Sequence, residues 1–402
     1  MKTALTAWLS DPMNMRVDPP VDVKVSDNSQ GFNVVRPTLP SLDELMPFLE
    51  RIWHSKILTN NGPIHKEFEH LLGEFLGVKH LTLFNNATTA LICALRASAR
   101  EGDQVITTPF SFVASASSIV FAGYVPKFVD IERYGFNIDP QEVVDSLSNR
   151  TAAILGVHCY GYPCDVKSLG DISSKYEVPL VYDGSHAFGI SPDGRSIYDG
   201  NHLTVLSFHA TKVFNTFEGG AVVCHSREEK CKLDKLKNFG FAGEFTVDEL
   251  GLNGKMSELH AAVGICQLAY HRKNIEKRKK IFSAYKKHLT GLAIIETPKE
   301  YRGYNYAYFP VLLHEDGHIS AARLYEYLRS HRIFARRYFY PLISEFSPFL
   351  KDAACADSVL LTPIAREKSR KVLCLPIYPD LAIEEVYGIC RLIQNFVESR
   401  GM

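Results

Sequence analysis

The chain has 402 residues, 46% of them hydrophobic and 22% charged, enough apolar content for a large buried core and too much for intrinsic disorder. Its 45 Lys and Arg balance 45 Asp and Glu, so no global field draws it to nucleic acid or to an anionic membrane. No uninterrupted apolar run is long enough to cross a bilayer, and Lys2, Asp11, Pro12 and Asn14 leave no apolar core for a secretory leader, so a cytoplasmic protein is expected.

Residues 1–35, with Asp11-Pro12, Pro19-Pro20 and few periodic apolar positions, predict an irregular N-terminal arm. From Lys79 onward, short apolar strands alternate with helical stretches. Strands are expected at His80–Phe84, Gln104–Thr108, Val125–Val129, Ala152–Val157, Val178–Tyr182, Leu203–Phe208 and Ala221–Cys224. Helices are expected at Thr88–Ala99, with Ala90, Leu91, Ala94 and Leu95 on one face, at Phe112–Ala122, from Asp139-Pro140, and at Asp165–Tyr176. This succession predicts an α/β fold with a buried, mostly parallel central sheet flanked by helices. Polar residues collect where strands end: Asn85, Asp130, His158, Asp183 and Ser207. In open α/β sheets ligands bind at that edge. Glu258–Tyr285 reads as one or two long helices, Tyr304–Leu313 and Ile333–Tyr340 as strands of a second sheet, and Ala321–Ser330 (capped by Ser320) and Ile383–Val397 as helices. The expected division is an arm over 1–35, a large α/β domain over 36–265 and a smaller C-terminal α+β domain over 266–402.

The chemistry concentrates in Ser207-Phe-His-Ala-Thr-Lys212-Val-Phe-Asn-Thr-Phe-Glu-Gly-Gly220. A lysine set between a buried strand and a glycine pair can form an imine with a carbonyl once its site lowers its proton affinity. The Ser207 hydroxyl and the Asp183 carboxylate are what a phosphorylated pyridine aldehyde would need, which points to pyridoxal phosphate (PLP). Each feature also has a plainer reading. Lys212 on composition alone is a solvated loop lysine, and Asp183 can simply cap the turn after its strand. His186 can be a structural histidine or lie beside the cofactor ring, and Phe112 can be core or stack on the pyridine face. Asn85-Asn-Ala87-Thr88 leads into a helix whose N-terminal amides suit a phosphate, a signal that any capped helix shares. Gly251-Leu-Asn253-Gly-Lys255 is no P-loop, and no Gly-x-Gly-x-x-Gly occurs to support a dinucleotide site. The nine cysteines are scattered, with no Cys-x-x-Cys pair, and read as idle thiols in a reducing compartment; no metal site is expected. In Phe334-Ala-Arg336-Arg337-Tyr338-Phe-Tyr340, basic and aromatic side chains either meet a diphosphate or sugar or are ordinary strand residues.

Together these motifs resemble the DegT/DnrJ/StrS sugar aminotransferases, which have the PLP-dependent transferase fold type I. The likeness runs from about Arg36 to the C-terminus. It is carried by Leu58-Thr-Asn-Asn-Gly-Pro63, the Thr88 turn, Gly102-Asp103, Phe112, Val157-His-Cys-Tyr-Gly161, Asp183 with His186, Ser207 with Lys212, Glu218-Gly-Gly220 and Asn253. The resemblance implies that Lys212 holds the cofactor and shuttles protons, Asp183 pairs with the pyridinium, and His186 contacts the ring oxygen. It implies phosphate contacts from Ala87, Thr88 and Ser207, ring stacking by Phe112, and Asn253 reaching the phosphate across a homodimer interface, so that active sites are shared. Lys255, His186 and Ala87 stand where many relatives carry arginine, glutamine and glycine. The activity implied is transfer of an amino group from glutamate to a nucleotide-linked keto-deoxysugar. The substrate expected is dTDP-4-keto-6-deoxyglucose and the product dTDP-4-amino-4,6-dideoxyglucose, for surface polysaccharide (O-antigen). The alternatives are a 3-keto sugar aminotransferase, a PLP-dependent sugar dehydratase, and a non-catalytic PLP-binding regulator. Retention of Lys212 favours transamination.

Overall fold

The computed structural model describes residues 31–314, 319–350 and 361–398, so the expected N-terminal arm lies outside the described residues up to residue 30. The chain enters at β1 (Phe32–Asn33), paired in parallel with Ile333–Phe334. Two helices follow that the strand–helix periodicity did not reveal, α1 (Leu42–Ser55) and α2 (Pro63–Leu76). A capping box opens α1: Ser41 Oγ accepts from the Glu44 amide, and the Glu44 carboxylate accepts from the Ser41 amide at 3.0 Å. The first amides of α2, those of Ile64 and His65, donate at 2.8 and 2.9 Å to the buried carboxylate of Glu258.

The central sheet is built from β2 (His80–Phe84), β3 (Gln104–Thr107), β4 (Val125–Phe128), β5 (Thr151–Val157), β6 (Leu180–Asp183), β7 (Leu203–Ser207) and β8 (Gly220–Cys224). Their spatial order is β2-β8-β7-β6-β5-β3-β4. Every pairing is parallel except the two made by β8, which runs against both β7 and β2. The reversal follows from connection length. The chain returns from Ser207 to Gly220 without a crossover helix, and a parallel neighbour would need one. The lysine-bearing segment is that return loop. It therefore sits at the edge where the parallel strands end, with Gly220 opposite both Ser207 and Phe84.

Helices α3 (Ala87–Ser98), α4 (Val113–Ala122), α5 (Pro140–Ser146), α6 (Val166–Tyr176) and α7 (Arg227–Leu236) connect the strands. Helix α3 buries the predicted stripe Ala90, Leu91, Ala94 and Leu95 against Val181, Val205 and Val222 of the sheet. The hairpin β9 (Phe241–Gly243) and β10 (Thr246–Val247) projects with exposed side chains. Then α8 (Glu258–Leu289) runs for 32 residues, about 48 Å. It is one helix, and the expected division between residues 265 and 266 falls inside it. Its first half packs on the large-sheet core through Ala261, Ala262 and Val263. Its second half shares a separate core with a smaller sheet.

That sheet is antiparallel, β11 (Ile295–Glu296), β12 (Phe309–Leu313) and β14 (Val372–Leu375), in the order β11-β12-β14. Phe282, Tyr285, Phe309, Leu324, Ile389 and Ile393 fill its core, supplied by α8, α9 (Ala321–Ser330) and α11 (Ile383–Glu398). Two expected strands are shorter than predicted. Tyr304–Leu313 is a strand only from Phe309, because its first residues are engaged elsewhere. Asn305 Nδ2 donates to the carbonyls of His186 and Phe188 at 2.8 and 3.1 Å, and the Tyr304 hydroxyl donates to that of Tyr160 at 2.9 Å. Ile333–Tyr340 is a strand (β13) only over Ile333–Phe334; beyond an isolated bridge from Arg336 to Cys374 the chain turns toward the large sheet. Helix α10 (Pro363–Lys371) precedes β14.

Candidate active site

Of the five polar strand ends, the structure brings Asp183 and Ser207 into one cavity of about 270 Å³. His158 and Asp130 are spent on structure. Buried His158 accepts from the Cys164 amide through Nδ1 at 3.0 Å and stacks on Tyr182 at 4.5 Å, and burial pushes its pKa down to about 3. Asp130 accepts from the amides of Ile364 and Ala365, each at 2.8 Å, and so caps α10. Asn85 lies behind the cavity, its Nδ2 donating to the Asn253 carbonyl at 3.2 Å.

Seven of the eight predicted site residues line that cavity: Ala87, Thr88, Phe112, Asp183, His186, Ser207 and Lys212. The eighth, Asn253, does not. It forms an isolated bridge with Asn238 beside β2, and neighbouring Lys255 lies over the Phe239 ring at 4.5 Å.

Lys212 is half-buried on the return loop, its amide donating to the His209 carbonyl at 2.9 Å. Burial pushes its amine down to about 8, and the Asp183 carboxylate opposes the shift. The loop is anchored from below. Phe208 and Phe214 pack at 5.1 Å, and Phe214 stacks on Phe188 at 4.3 Å. These rings fix the loop from the core rather than forming the cavity wall. Gly219 and Gly220 are needed for close approach. A Cβ on Gly219 would lie 2.2 Å from Thr216 Oγ1, and one on Gly220 would lie 2.9 Å from the Ala87 amide nitrogen.

That second contact joins the loop to the start of α3. Asn86 caps the helix, its Oδ1 accepting from Thr89 at 2.9 Å and its carbonyl from Ala90 at 3.2 Å. The amides of Ala87 and Thr88 then lead the helix toward the cavity, beside Ser207, as an anion site requires. Across the cavity Asp183 is 5% exposed and fully oriented. Its Oδ1 accepts from the Ser185 amide at 3.0 Å and its Oδ2 from the Ser115 hydroxyl at 2.7 Å.

His186 accepts from the Tyr160 amide through Nδ1 at 3.1 Å. An amide can only donate, so the ring proton is on Nε2. Burial and the nearby Lys212 hold this histidine well below the ordinary range, hence neutral. Its ring lies parallel to those of Tyr160 and Phe339, at 4° and 2°. Phe112, at the start of α4, exposes 57% of its surface beside the cavity.

Ser111, Ser185 and Tyr308 line the cavity without a role in the sequence reading. Ser111 and Ser185 flank Asp183, and Glu218 pairs with His209 at 3.5 Å near the mouth. Tyr308, Tyr338 and Phe339 form a wall from the smaller-sheet segment. Within the basic-aromatic stretch, Tyr338 and Phe339 reach the cavity. Arg336 is exposed, and Arg337 lies over Tyr340 at 3.8 Å and donates to the Arg370 carbonyl at 3.0 Å.

The DegT/DnrJ/EryC1/StrS aminotransferase family model matches residues 42–394. The chain belongs to this family. It is 46% identical over 365 residues to a dTDP-4-amino-4,6-dideoxy-D-glucose transaminase of Shigella dysenteriae, covering 90% of this chain and 98% of that protein. It is 45% identical over 373 residues to the Escherichia coli protein of the same name, covering 91% and 99%. Among solved structures, that of DesI in the presence of its TDP-sugar product superposes with a TM-score of 0.86 at 30% identity, over 92% of this chain and 94% of that one. The protein is thus a PLP-dependent aminotransferase of fold type I. The cavity suits that cofactor: a half-buried lysine whose amine has a depressed pKa, a carboxylate held by two donors, and a helix N-terminus beside a hydroxyl. Among the described residues, no cluster of His, Cys, Asp and Glu could hold a metal, and no helix is long and apolar enough to cross a membrane.

Proposed function

We propose that the protein moves an amino group from L-glutamate to dTDP-4-keto-6-deoxyglucose, giving dTDP-4-amino-4,6-dideoxyglucose for a surface polysaccharide. The observation that carries this reading is full-length similarity to transaminases named for that sugar, joined to a cavity holding Lys212 and Asp183 together. Bound PLP supplies the electron sink for the carbanion. The residues do the rest. Lys212 would hold the cofactor through its amine, and that same amine is the group placed to take and return a proton during the transfer. Such positioned acid–base transfer contributes about 10²–10⁴-fold. Asp183 would pair with the ring nitrogen and favour its protonated form. His186, neutral with its proton on Nε2, would offer that proton to the ring oxygen. The amides of Ala87 and Thr88, with Ser207, would receive the phosphate, and Phe112 would cover the ring.

The protein acts as a homodimer with shared active sites, Asn253 from a second copy completing the phosphate contacts. Support comes from apolar surface that one chain leaves open, Trp53 on α1 and Phe245 in the hairpin being 72% and 92% exposed. We assign residues 36–265 to a large cofactor-binding domain and 266–402 to a smaller domain, the second core drawing its buried residues from Ile281 onward, although Tyr308, Phe339 and Val372 pack into the first. A cytoplasmic location fits the eight described cysteines, all free and seven of them buried.

The test is direct. Purified protein should be yellow, and borohydride should fix the cofactor on the Lys212 peptide. With glutamate, a panel of nucleotide-linked keto sugars should yield the 4-amino product from the dTDP-4-keto sugar, identified by NMR. A 3-amino product, or ammonia release without an amino sugar, would overturn the assignment in favour of the 3-keto or dehydratase reading.

A further inference from the structure

Asp183 is the end of a directed chain of buried hydroxyls. An ionised carboxylate only accepts, so Ser115 must donate to Oδ2 across the 2.7 Å contact. That uses the one hydroxyl proton of Ser115. The 2.8 Å contact between Ser111 and Ser115 must then run from Ser111 to Ser115. The chain Ser111→Ser115→Asp183 spans one turn of α4 and its approach, all three residues being buried and only Ser111 and Asp183 lining the cavity. On the other oxygen, the Ser185 amide is fixed by the backbone and cannot rotate away. The carboxylate plane is therefore set by one rigid donor and one that a single substitution removes. The other titratable groups around Asp183 are Lys212 on the return loop, Cys159 after β5 and His186 in the same cavity; among the described residues the side-chain hydrogen bond to its carboxylate comes from Ser115, and the Ser185 amide supplies the other.

We propose that Ser115, backed by Ser111, is a positioning residue that orients Asp183 toward the cofactor's ring nitrogen and so maintains the charge of the ring. This rests on the reading of Asp183 as the ring-nitrogen partner. Without the Ser115 donor the carboxylate loses its orientation and holds the ring proton less firmly. A less positive ring withdraws less charge from the nitrogen that Lys212 contributes, which then binds its own proton more tightly.

The experiment titrates the visible absorption band of the holoenzyme against pH in the wild type, Ser115→Ala, Ser111→Ala and Ser118→Ala. Ser118 is the control, a fully buried hydroxyl on the same helix that donates to the Ser115 carbonyl at 2.8 Å and lies outside the chain. Ser115→Ala should move the midpoint upward by roughly one unit. It should lower kcat by about tenfold at unchanged KM for the keto sugar. Ser111→Ala should shift the midpoint the same way by less, and Ser118→Ala should leave it in place. An unmoved midpoint in Ser115→Ala, or an equal shift in Ser118→Ala, overturns the proposal. Should Ser115→Ala not retain cofactor, the Ser111→Ala titration decides. A wild type with no titrating band, or with borohydride label away from Lys212, would instead overturn the underlying reading of the site.

Discussion

The cavity has two sides with different origins. The cradle, formed by the start of α3, the ends of β6 and β7 and the return loop to β8, is drawn from the C-terminal edge of one sheet. The wall of Tyr308, Tyr338 and Phe339 comes from the segment around the smaller sheet and reaches the cradle only through tertiary packing. The cradle is polar and is held by hydrogen bonds, from the local Asn86 cap on Thr89 to the contact between the Ser115 hydroxyl and Asp183. The wall is aromatic and is tied down by contacts such as Tyr308 against His186 at 4.7 Å and Phe339 against Tyr160 at 5.8 Å. The division suggests separate duties: the cradle holds the cofactor and performs proton transfer, and the wall shapes the space for the sugar.

The strongest way to break that comparison is Lys212→Ala. Turnover should fall by at least the ~10²–10⁴-fold of a lost acid–base group, and borohydride labelling should vanish. The helix-end groups proposed to receive the phosphate are untouched, so the variant should still bind cofactor, as measured by equilibrium dialysis. Substantial turnover in this variant would mean that the wall, or some other group, contributes the proton carrier.

A second test uses pH on the cradle. Burial lowers the Lys212 amine to about 8 and Asp183 resists that fall. The neutral, nucleophilic form therefore grows as pH rises through about 8. Capture of the cofactor aldehyde by apoprotein, followed by stopped-flow absorbance, should rise with pH around that midpoint rather than near the ~10.4 of a free lysine. Asp183→Asn removes the charge that favours the protonated amine, so its midpoint should move lower still. A midpoint near the free-lysine value would show the amine to be solvated.

The same contrast explains what was legible in the sequence. The cradle lies in contiguous motifs where a strand ends and a loop or helix begins, so Lys212, Ser207, Asp183 and the Ala87-Thr88 turn were visible as patterns. Asp130 and His158 carried the same strand-end signal and are structural, because only packing decides whether a strand-end side chain faces the cavity or caps a distant helix. Ser115 gave no signal, since a serine among Val113, Ala114 and Ala116 reads as helix filler until β6 is packed beside it. Tyr308 is distant in sequence from the residues it touches and nothing local announces it, whereas Tyr338 and Phe339 lay in a basic-aromatic stretch whose aromatic members, not its arginines, reach the cavity. Helix α1 is a different case. Its capping box, Ser41-Leu-Asp-Glu44, is written in the sequence, but Pro47 interrupts the helical pattern that would confirm it. The reversed β8 was implicit in the short return from Ser207 to Gly220, which leaves no length for a crossover.

The wall is sharpened by Tyr338→Ala. This side chain lines the cavity without belonging to the cradle. KM for the nucleotide sugar should rise about tenfold, equivalent to ~1.4 kcal/mol, with the cofactor's absorption titration unchanged. A shifted titration with unaltered KM would place Tyr338 functionally in the cradle and dissolve the division of labour.

The smallest effect on activity is expected where a strand-end carboxylate looks catalytic by position and is not. Asp130 lies two residues past β4 as Asp183 ends β6, yet its oxygens accept from the amides of Ile131, Ile364 and Ala365 at 2.9, 2.8 and 2.8 Å. Asp130→Ala leaves the first turn of α10 uncapped, at a cost of about 1–2 kcal/mol. The melting temperature should drop by a few degrees, roughly in proportion. Because α10 leads into β14, which backs the segment carrying Tyr338, any loss of activity should appear in KM for the sugar rather than in cofactor affinity. Loss of cofactor at an unchanged melting temperature would show that position along the sheet edge, rather than what each carboxylate accepts, decides its role.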